Sequence, residues 1–382
     1  MPREYQGRTD PTAGATRRGF LRGGALALAM AAGNAADATS DPIAAVPSLG
    51  ELAARRGILF GAAVDRTVLG DPRLAALYRH QTRIVTTDTA LKFGSIRPRP
   101  EVADYGEADA LVDFAGRAGL AMRGHTLAWN SWQPDWVERL SQRECAYWLE
   151  RHIAETVGRY AGRLHSWDVV NEPLWPEDGL PGGLRGGPWY KGLGADYIRR
   201  SFVAARAADP KVRLVLNEAG PEWKQGFSPG ARYRTDLLRL VDDLQHAGVR
   251  LDAVGLECHW FPGFTFDAEA FGQLVRDLAA RDLDVYLTEI DVNDRDFPGD
   301  AAHRDALVAA RYAELMRAAL AEPAVKVIQT WELSDGQTWL REGARPGRAP
   351  RPLPFDAEYR PKDAYQAIAR ALKETRPGVT RR

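Results

Sequence analysis

Apolar and polar positions along the chain fall into two alternating regimes. Short apolar runs, rich in β-branched residues, occupy 58–64 (ILFGAAV), 83–87 (RIVTT), 120–127 (LAMRGHTL) and 165–171 (HSWDVVN). Four more follow at 212–217 (VRLVLN), 251–257 (LDAVGLE), 284–289 (DVYLTE) and 325–331 (VKVIQTW). Runs of this length and composition predict buried strands. Between them lie segments with helical periodicity. One opens at Ser141 with Glu144 three residues on, a capping box, and sets Cys145, Trp148, Leu149, His152, Ile153 and Val157 on one face. Another runs from Ala231 to Ala247 and stops at Gly248, a residue suited to the position just past a helix end. Strands alternating with helices predict a single α/β domain, a (β/α)8 TIM barrel. A doubly wound open sheet fits less well, because the third to eighth runs all end in polar or aromatic groups. A ring of loops around one active face needs that arrangement.

Two of the runs finish on a glutamate. Ser166-Trp167-Asp168-Val169-Val170-Asn171-Glu172-Pro173 ends abruptly, since proline cannot continue a ladder, which places Glu172 at the C-terminal end of its strand. Val285-Tyr286-Leu287-Thr288-Glu289-Ile290-Asp291 has the same form. A carboxylate is costly to bury unpaired, and either glutamate alone is more often structural than catalytic. Together they supply what two-carboxylate glycoside hydrolysis requires.

Composition narrows the field. The chain has 382 residues, 45% of them hydrophobic and 27% charged, enough for a large core. Lys+Arg and Asp+Glu are both 51, so no basic footprint for nucleic acid or an anionic membrane is expected, and a neutral substrate suits the balance. Of 11 tryptophans, Trp129, Trp132, Trp175, Trp189, Trp260, Trp331 and Trp339 fall at strand ends or in the loops beyond. That clustering suggests ring faces presented to sugar. Cys145 and Cys258 lie on separate elements without zinc spacing and read as buried thiols, so no metal site and no cofactor is expected.

The stretches Arg123-Gly124-His125-Thr126-Leu127-Ala128-Trp129, Trp167 to Pro173, Val254 to His259, Thr288-Glu289-Ile290-Asp291 and Trp331-Glu332-Leu333-Ser334-Asp335 come in order at barrel spacing. From about Gly57 to Lys373 the chain resembles glycoside hydrolase family 10, the retaining endo-β-1,4-xylanases. The resemblance implies hydrolysis of internal xylosidic bonds in a β-1,4-linked polysaccharide or oligosaccharide. Glu172 would be the acid/base and Glu289 the nucleophile, their carboxyl groups about 5 Å apart. His259 and Asp291 would orient the nucleophile and keep it ionised. Asp291, two residues beyond Glu289, points to the same side in extended chain. Asn171 would bond the sugar 2-OH, and Lys92, His125, Trp129, Trp331 and Trp339 would wall the glycone side. Without that context, His125 reads as a satisfied core histidine and Lys92 as a solvated surface lysine. The long Gly/Pro/Trp-rich loop from Leu174 to Gly194 is expected to form the aglycone wall.

The chain also departs from the family. Asp88-Thr89-Ala90-Leu91-Lys92-Phe93 stands where Glu-Asn-Glu-Met-Lys-Trp is usual. Asn130 replaces histidine, Trp132 and Glu257 each replace glutamine, and Asn217-Glu218 replaces Asn-Asp. Asp88, Thr89, Trp132 and Glu257 are kept as substrate-binding positions, with Thr89 and Trp132 where a second sugar would be gripped. A retaining β-1,4-glucanase or other β-glycanase on the same barrel is the alternative, and a non-catalytic glycan-binding barrel a third reading. Two competing motifs fail. Gly226-Phe227-Ser228-Pro229-Gly230 matches G-x-S-x-G, but no strand precedes it and Pro229 has no N–H to offer an oxyanion. Asp291 to Asp296 lacks the glycine of a calcium loop and carries Arg295 at a ligand position.

At the N-terminus, Thr16-Arg17-Arg18-Gly19-Phe20-Leu21-Arg22 precedes a short apolar stretch and small residues, as in a twin-arginine signal. The expected organisation is a signal over 1–38, a leader over 39–56, the catalytic domain over 57–375 and a disordered tail over 376–382. The mature protein is expected to be a periplasmic or secreted monomer with no membrane partner.

Overall fold

The computed structural model describes residues 46–374. The signal and the tail after 375 lie outside them. Eight parallel strands close a barrel: β1 (Leu59–Val64), β2 (Ile84–Thr87), β3 (Ala121–Gly124), β4 (Ser166–Asn171), β5 (Arg213–Glu218), β6 (Ala253–Leu256), β8 (Asp284–Val292) and β9 (Val325–Thr330). A two-residue strand, β7 (His259–Trp260), lies between β6 and β8 in sequence and pairs with the far end of β8. Closure comes from β1 against β9, with Leu59 opposite Val327. A helix follows each barrel strand on the outside. Four of these helices start on the side chains of Asp71, Ser141, Asp267 and Asp300, which accept from the first free backbone N–H groups. The expected box at Ser141 and Glu144 is present in full. Gly248, at φ 75°, takes the left-handed turn expected after the helix Gly230–His246.

Period-two alternation sorts the barrel into layers. Ile84, Val215, Ala253, Tyr286 and Val327 pack together in the lumen, with Leu59 and Ala121 against them. Their neighbours Val85, Leu214, Leu216, Val254, Val285, Leu287 and Ile328 join the larger core under the helices. Two residues further along five of these strands the inner layer becomes polar, at Thr86, Arg123, Asn217, Thr288 and Gln329, all buried. Arg123 carries the charge of that layer. It pairs with Asp168 and donates to Gln329 Oε1 at 2.6 Å, while His125 Nδ1 lies 3.0 Å from the other Asp168 oxygen. Strict register fails in three places, one of them where β9 passes Lys326 between Val325 and Val327. β4 slips between Asp168 and Val170, and β8 slips between Leu287 and Ile290. Those are the strands that carry the two glutamates, Glu172 just past the end of β4 and Glu289 within β8, and each slip re-aims the residues after it.

Three expectations need correction. Leu49–Ala54 is a helix capped by Ser48, with Leu49, Leu52 and Ala53 in the core, so the fold begins inside the stretch read as a leader. Six residues are too few to show a helical period. Next, Leu174–Gly194 is not all loop, since Pro188–Leu193 forms a helix. Finally, Trp189 and Trp260 are core residues. Trp189 sits edge-on to Phe93 at 5.2 Å, and Trp260 packs on Trp223 at 4.8 Å and beneath the Arg311 guanidinium. Both cysteines are free and buried, as expected.

Candidate active site

The C-terminal ends of the strands converge on one polar cluster. Glu289 stands at its centre. Its Oε1 accepts from Asn217 Nδ2 at 2.9 Å, and its Oε2 lies 3.3 Å from His259 Nε2. The other ring nitrogen of His259 is 2.9 Å from Asp291 Oδ1, and Trp339 Nε1 donates to Asp291 Oδ2 at 2.8 Å. Burial opposes a charge on His259. The two carboxylates outweigh it and push its pKa up to about 10, so the ring is a cation at neutral pH. Pairing of β7 with β8 in register His259↔Asp291 is what holds this triad.

Asn217, the penultimate residue of β5, ties the cluster together. Its amide also faces Asn171 Oδ1 at 2.7 Å and Glu257 Oε1 at 3.2 Å, and its own oxygen accepts from Thr288 Oγ1 at 2.8 Å. This close approach depends on Gly255, where a Cβ would lie 2.0 Å from Asn217 Oδ1. Asn171 is buried directly opposite Asn217 in the β4–β5 register. Glu257 is fully buried, and burial first, then Glu289, Glu172, Glu218 and Glu222, drive its pKa well above the usual carboxyl range. A shift in that direction favours the neutral carboxyl, the form able to donate as an amide would. Ligand atoms of Glu257, His259 and Glu289 lie within 4.8 Å of one another, a grouping able to hold a cation. The imidazolium of His259 supplies positive charge at that place.

Glu172 follows Asn171 at φ 47°, a strained left-handed turn for a glutamate, and only 2% of it is exposed. The Arg185 guanidinium pairs with its Oε2. Burial favours the neutral acid here, but Arg185 prevails and holds the carboxyl below its ordinary value. Neither Asn217 nor Arg185 was singled out as a site residue in the sequence. Asn217 stands next to a glutamate at the close of its strand just as Asn171 does, so that signal was present. Arg185 carried none, because it comes from the middle of the long loop.

The other expected positions form a second group linked through His125, whose Nδ1 is 3.9 Å from Glu289. The His125 ring meets Trp331 at 5.2 Å and Trp129 at 6.4 Å. Lys92 then extends its ammonium over three rings, 4.9 Å from Trp129, 5.0 Å from Trp132 and 5.8 Å from Trp331, and lies 3.8 Å from Asp88. It is 6% exposed, a caged lysine rather than a solvated one. Trp132 is pinned by its indole N–H to Ser95 Oγ at 3.1 Å and by Gly94 N to its carbonyl at 3.0 Å. Thr89 is half-buried in the turn before Lys92, whose backbone N–H it receives. On the other side of Glu172, Trp175, Phe227, Phe261 and Phe264 form a continuous aromatic band reaching Trp339. The Ser228 hydroxyl bonds Glu177 there, in no arrangement that could activate it. A hollow of about 480 Å³ at the opposite rim borders neither glutamate, being lined by groups such as Arg213, Asp252 and Asp284.

Comparison with known proteins agrees with this arrangement. The sequence pattern of glycosyl hydrolase family 10 matches residues 48–371. A β-1,4-xylanase of Dictyoglomus thermophilum is 32% identical over 75% of this chain and 81% of its own. Endo-1,4-β-xylanase 3 of Hypocrea jecorina is 31% identical over 85% of this chain and 86% of its own. Among solved structures, native xylanase 10B of Thermotoga maritima superposes with a TM-score of 0.77 at 28% identity, covering 86% of this chain and 98% of its own. Xylanase 10B of Thermotoga petrophila, solved with xylobiose, gives 0.76 at 28% identity over 86% and 97%. From the two strand-end glutamates to the match across nearly the whole barrel, the observations agree: this chain belongs to glycosyl hydrolase family 10.

Proposed function

We propose that this protein hydrolyses internal β-1,4-xylosidic bonds of xylan with retention of configuration, through a covalent glycosyl-enzyme. The observation that carries the reading is the unequal setting of two buried glutamates. Glu289 is held by an imidazolium and an amide, which suits an ionised nucleophile. Glu172, in a strained turn against a guanidinium, is the group that must both give and take a proton. Glu289 attacks the anomeric carbon while Glu172 protonates the leaving oxygen. Glu172 then removes a proton from the water that releases the sugar. Asn171 and Glu257 donate to the sugar bound beside Glu289, while Lys92, His125, Trp129, Trp331 and Trp339 wall it. Xylan as substrate is supported by the relatives, which are xylanases, and by the xylobiose bound to one solved neighbour.

The test is product analysis on xylan, arabinoxylan and cellulose side by side, following the anomeric configuration by NMR. Xylo-oligosaccharides formed first as the β-anomer are expected. Glu289→Ala should lose activity by at least about 10⁴-fold and regain part of it with azide, while Glu172→Ala should spare substrates whose leaving group needs no proton. An Arg17/Arg18 pair ahead of a short apolar stretch supports export of the protein to the periplasm or medium. Retention of an R17K/R18K variant in the cytoplasm would bear on that.

A further inference from the structure

Behind Glu172 stands a second buried carboxyl that has no ion pair of its own among the described residues. Glu218 ends β5 and follows Asn217, as Glu172 follows Asn171, so the two glutamates come one after the other on neighbouring strands. Glu218 has no exposed surface, and its oxygens accept only from backbone, Leu174 N at 3.2 Å and Ala219 N at 3.4 Å. Arg185 provides the positive charge for both. Its backbone N–H is anchored to Pro173 O at 2.7 Å and its guanidinium lies 4.6 Å above the Trp175 ring, which fixes its base at Pro173, the residue between Glu172 and the Leu174 N–H that holds Glu218. Burial drives the Glu218 pKa well above the ordinary range, with Arg185 as the chief opposing influence. The other groups facing this pair are acids and phenols: Glu257 from just past β6, Glu222 from the loop after β5, Tyr233 and Tyr197 from the helices behind, and Glu289 beyond Glu257.

We propose that Arg185 and Glu218 form a counter-ion exchange behind the acid/base, in which the guanidinium pairs with Glu172 when Glu172 is ionised and with Glu218 when Glu172 carries the proton. Both are positioning residues, and the idea rests on Glu172 being the acid/base. In the free enzyme one proton and one guanidinium serve two carboxyls. The arrangement observed, with Arg185 paired to Glu172, is one form, in which the proton belongs on Glu218. Moving the proton from Glu218 to Glu172 and the guanidinium the other way gives the form able to act as an acid. When the glycosidic C–O bond breaks and the Glu289–carbon bond forms, the Glu172 proton leaves with the departing alcohol. Both carboxyls are then ionised, with the guanidinium between them. Attack by water on the glycosyl-enzyme returns one proton to Glu172 and restores the balance.

The test is kcat/KM against pH for Glu218→Gln, on xylo-oligosaccharides and on aryl xylobiosides with an activated leaving group. Glutamine fills the same space but cannot hold the guanidinium as a counter-ion, so Arg185 stays on Glu172. The alkaline limb on xylo-oligosaccharides should move down by about one pH unit and the neutral-pH rate should fall about tenfold, with little change on the activated substrate. Glu218→Asp should return the limb toward wild type, and Arg185→Met should move it upward. An unmoved limb in folded Glu218→Gln overturns the proposal, as does an equal loss on both substrates. Should Glu218→Gln not fold, the Arg185→Met limb decides alone. Failure of the underlying assignment shows separately, as a Glu172→Ala variant that does not spare the activated substrate.

Discussion

At the scale of single residues, one substitution is expected to govern the upper end of the pH range. Glu257 stands among four other buried carboxyls and donates only while protonated. As pH rises through its raised pKa, a donor is lost and a repelling charge appears near Glu289. Glu257→Gln keeps the donor at every pH, so its alkaline limb of kcat/KM should lie about one unit above wild type. That is opposite in sign to Glu218→Gln. The wild-type limb reports shared values for the coupled groups, and only the two variants separate them. An unmoved limb in Glu257→Gln would mean the carboxyl does not act at the site.

At the scale of elements, the site depends on how closely β5 and β6 approach. Gly255→Ala places a methyl 2.0 Å from Asn217 Oδ1 and 3.0 Å from Thr288 Cγ2, so the amide that bridges Asn171, Glu257 and Glu289 must shift. A stability loss of about 1–3 kcal/mol is expected in urea unfolding. The accompanying fall in kcat should be about 10- to 100-fold, because three groups lose their common donor. Much of this level could be read in advance. Apolar runs placed all eight barrel strands, Ser141 and Glu144 placed a helix start, and the glutamates that close two of those runs lie in the buried polar cluster. The slips in β4 and β8 could not be read, because alternation foresees which way a side chain points only while the register holds. Arg185 was hidden for a related reason, since a loop has no period to betray what its side chains reach. Trp189 and Trp260 resemble Trp129 in sequence position, yet packing against Phe93 and Trp223 made them core.

At the scale of the whole molecule, two histidines give stability opposite slopes with pH. Burial, with Arg97 nearby, lowers the His152 pKa from 6.5 to about 3, and its Nε2 has no partner. Below pH 6.5 the unfolded chain binds the proton and the folded one does not, so stability falls as pH falls from 6.5 towards 3. His259, raised to about 10, contributes stability that is full below 6.5 and is lost as pH climbs from 6.5 to 10. His152→Leu should therefore flatten the acid side alone. Measured against wild type in urea, it should gain about 2 kcal/mol of relative stability between pH 7 and pH 5. A constant difference across that range would show that His152 titrates normally.

The helix Leu49–Ala54 has a further consequence, because it lies beside the last helix, Asp363–Glu374. Tyr365 Oη donates to Pro47 O at 2.6 Å, and Arg56 Nη1 reaches Leu372 O at 3.5 Å. The folded domain thus starts and stops at one place, on the rim where strands begin, away from the cleft where they end. Such a chain can be rewired. Joining Glu374 to Ser48 through a short glycine linker and reopening the ring at exposed Gly248, also on that rim, should yield a circular permutant that folds and keeps its turnover.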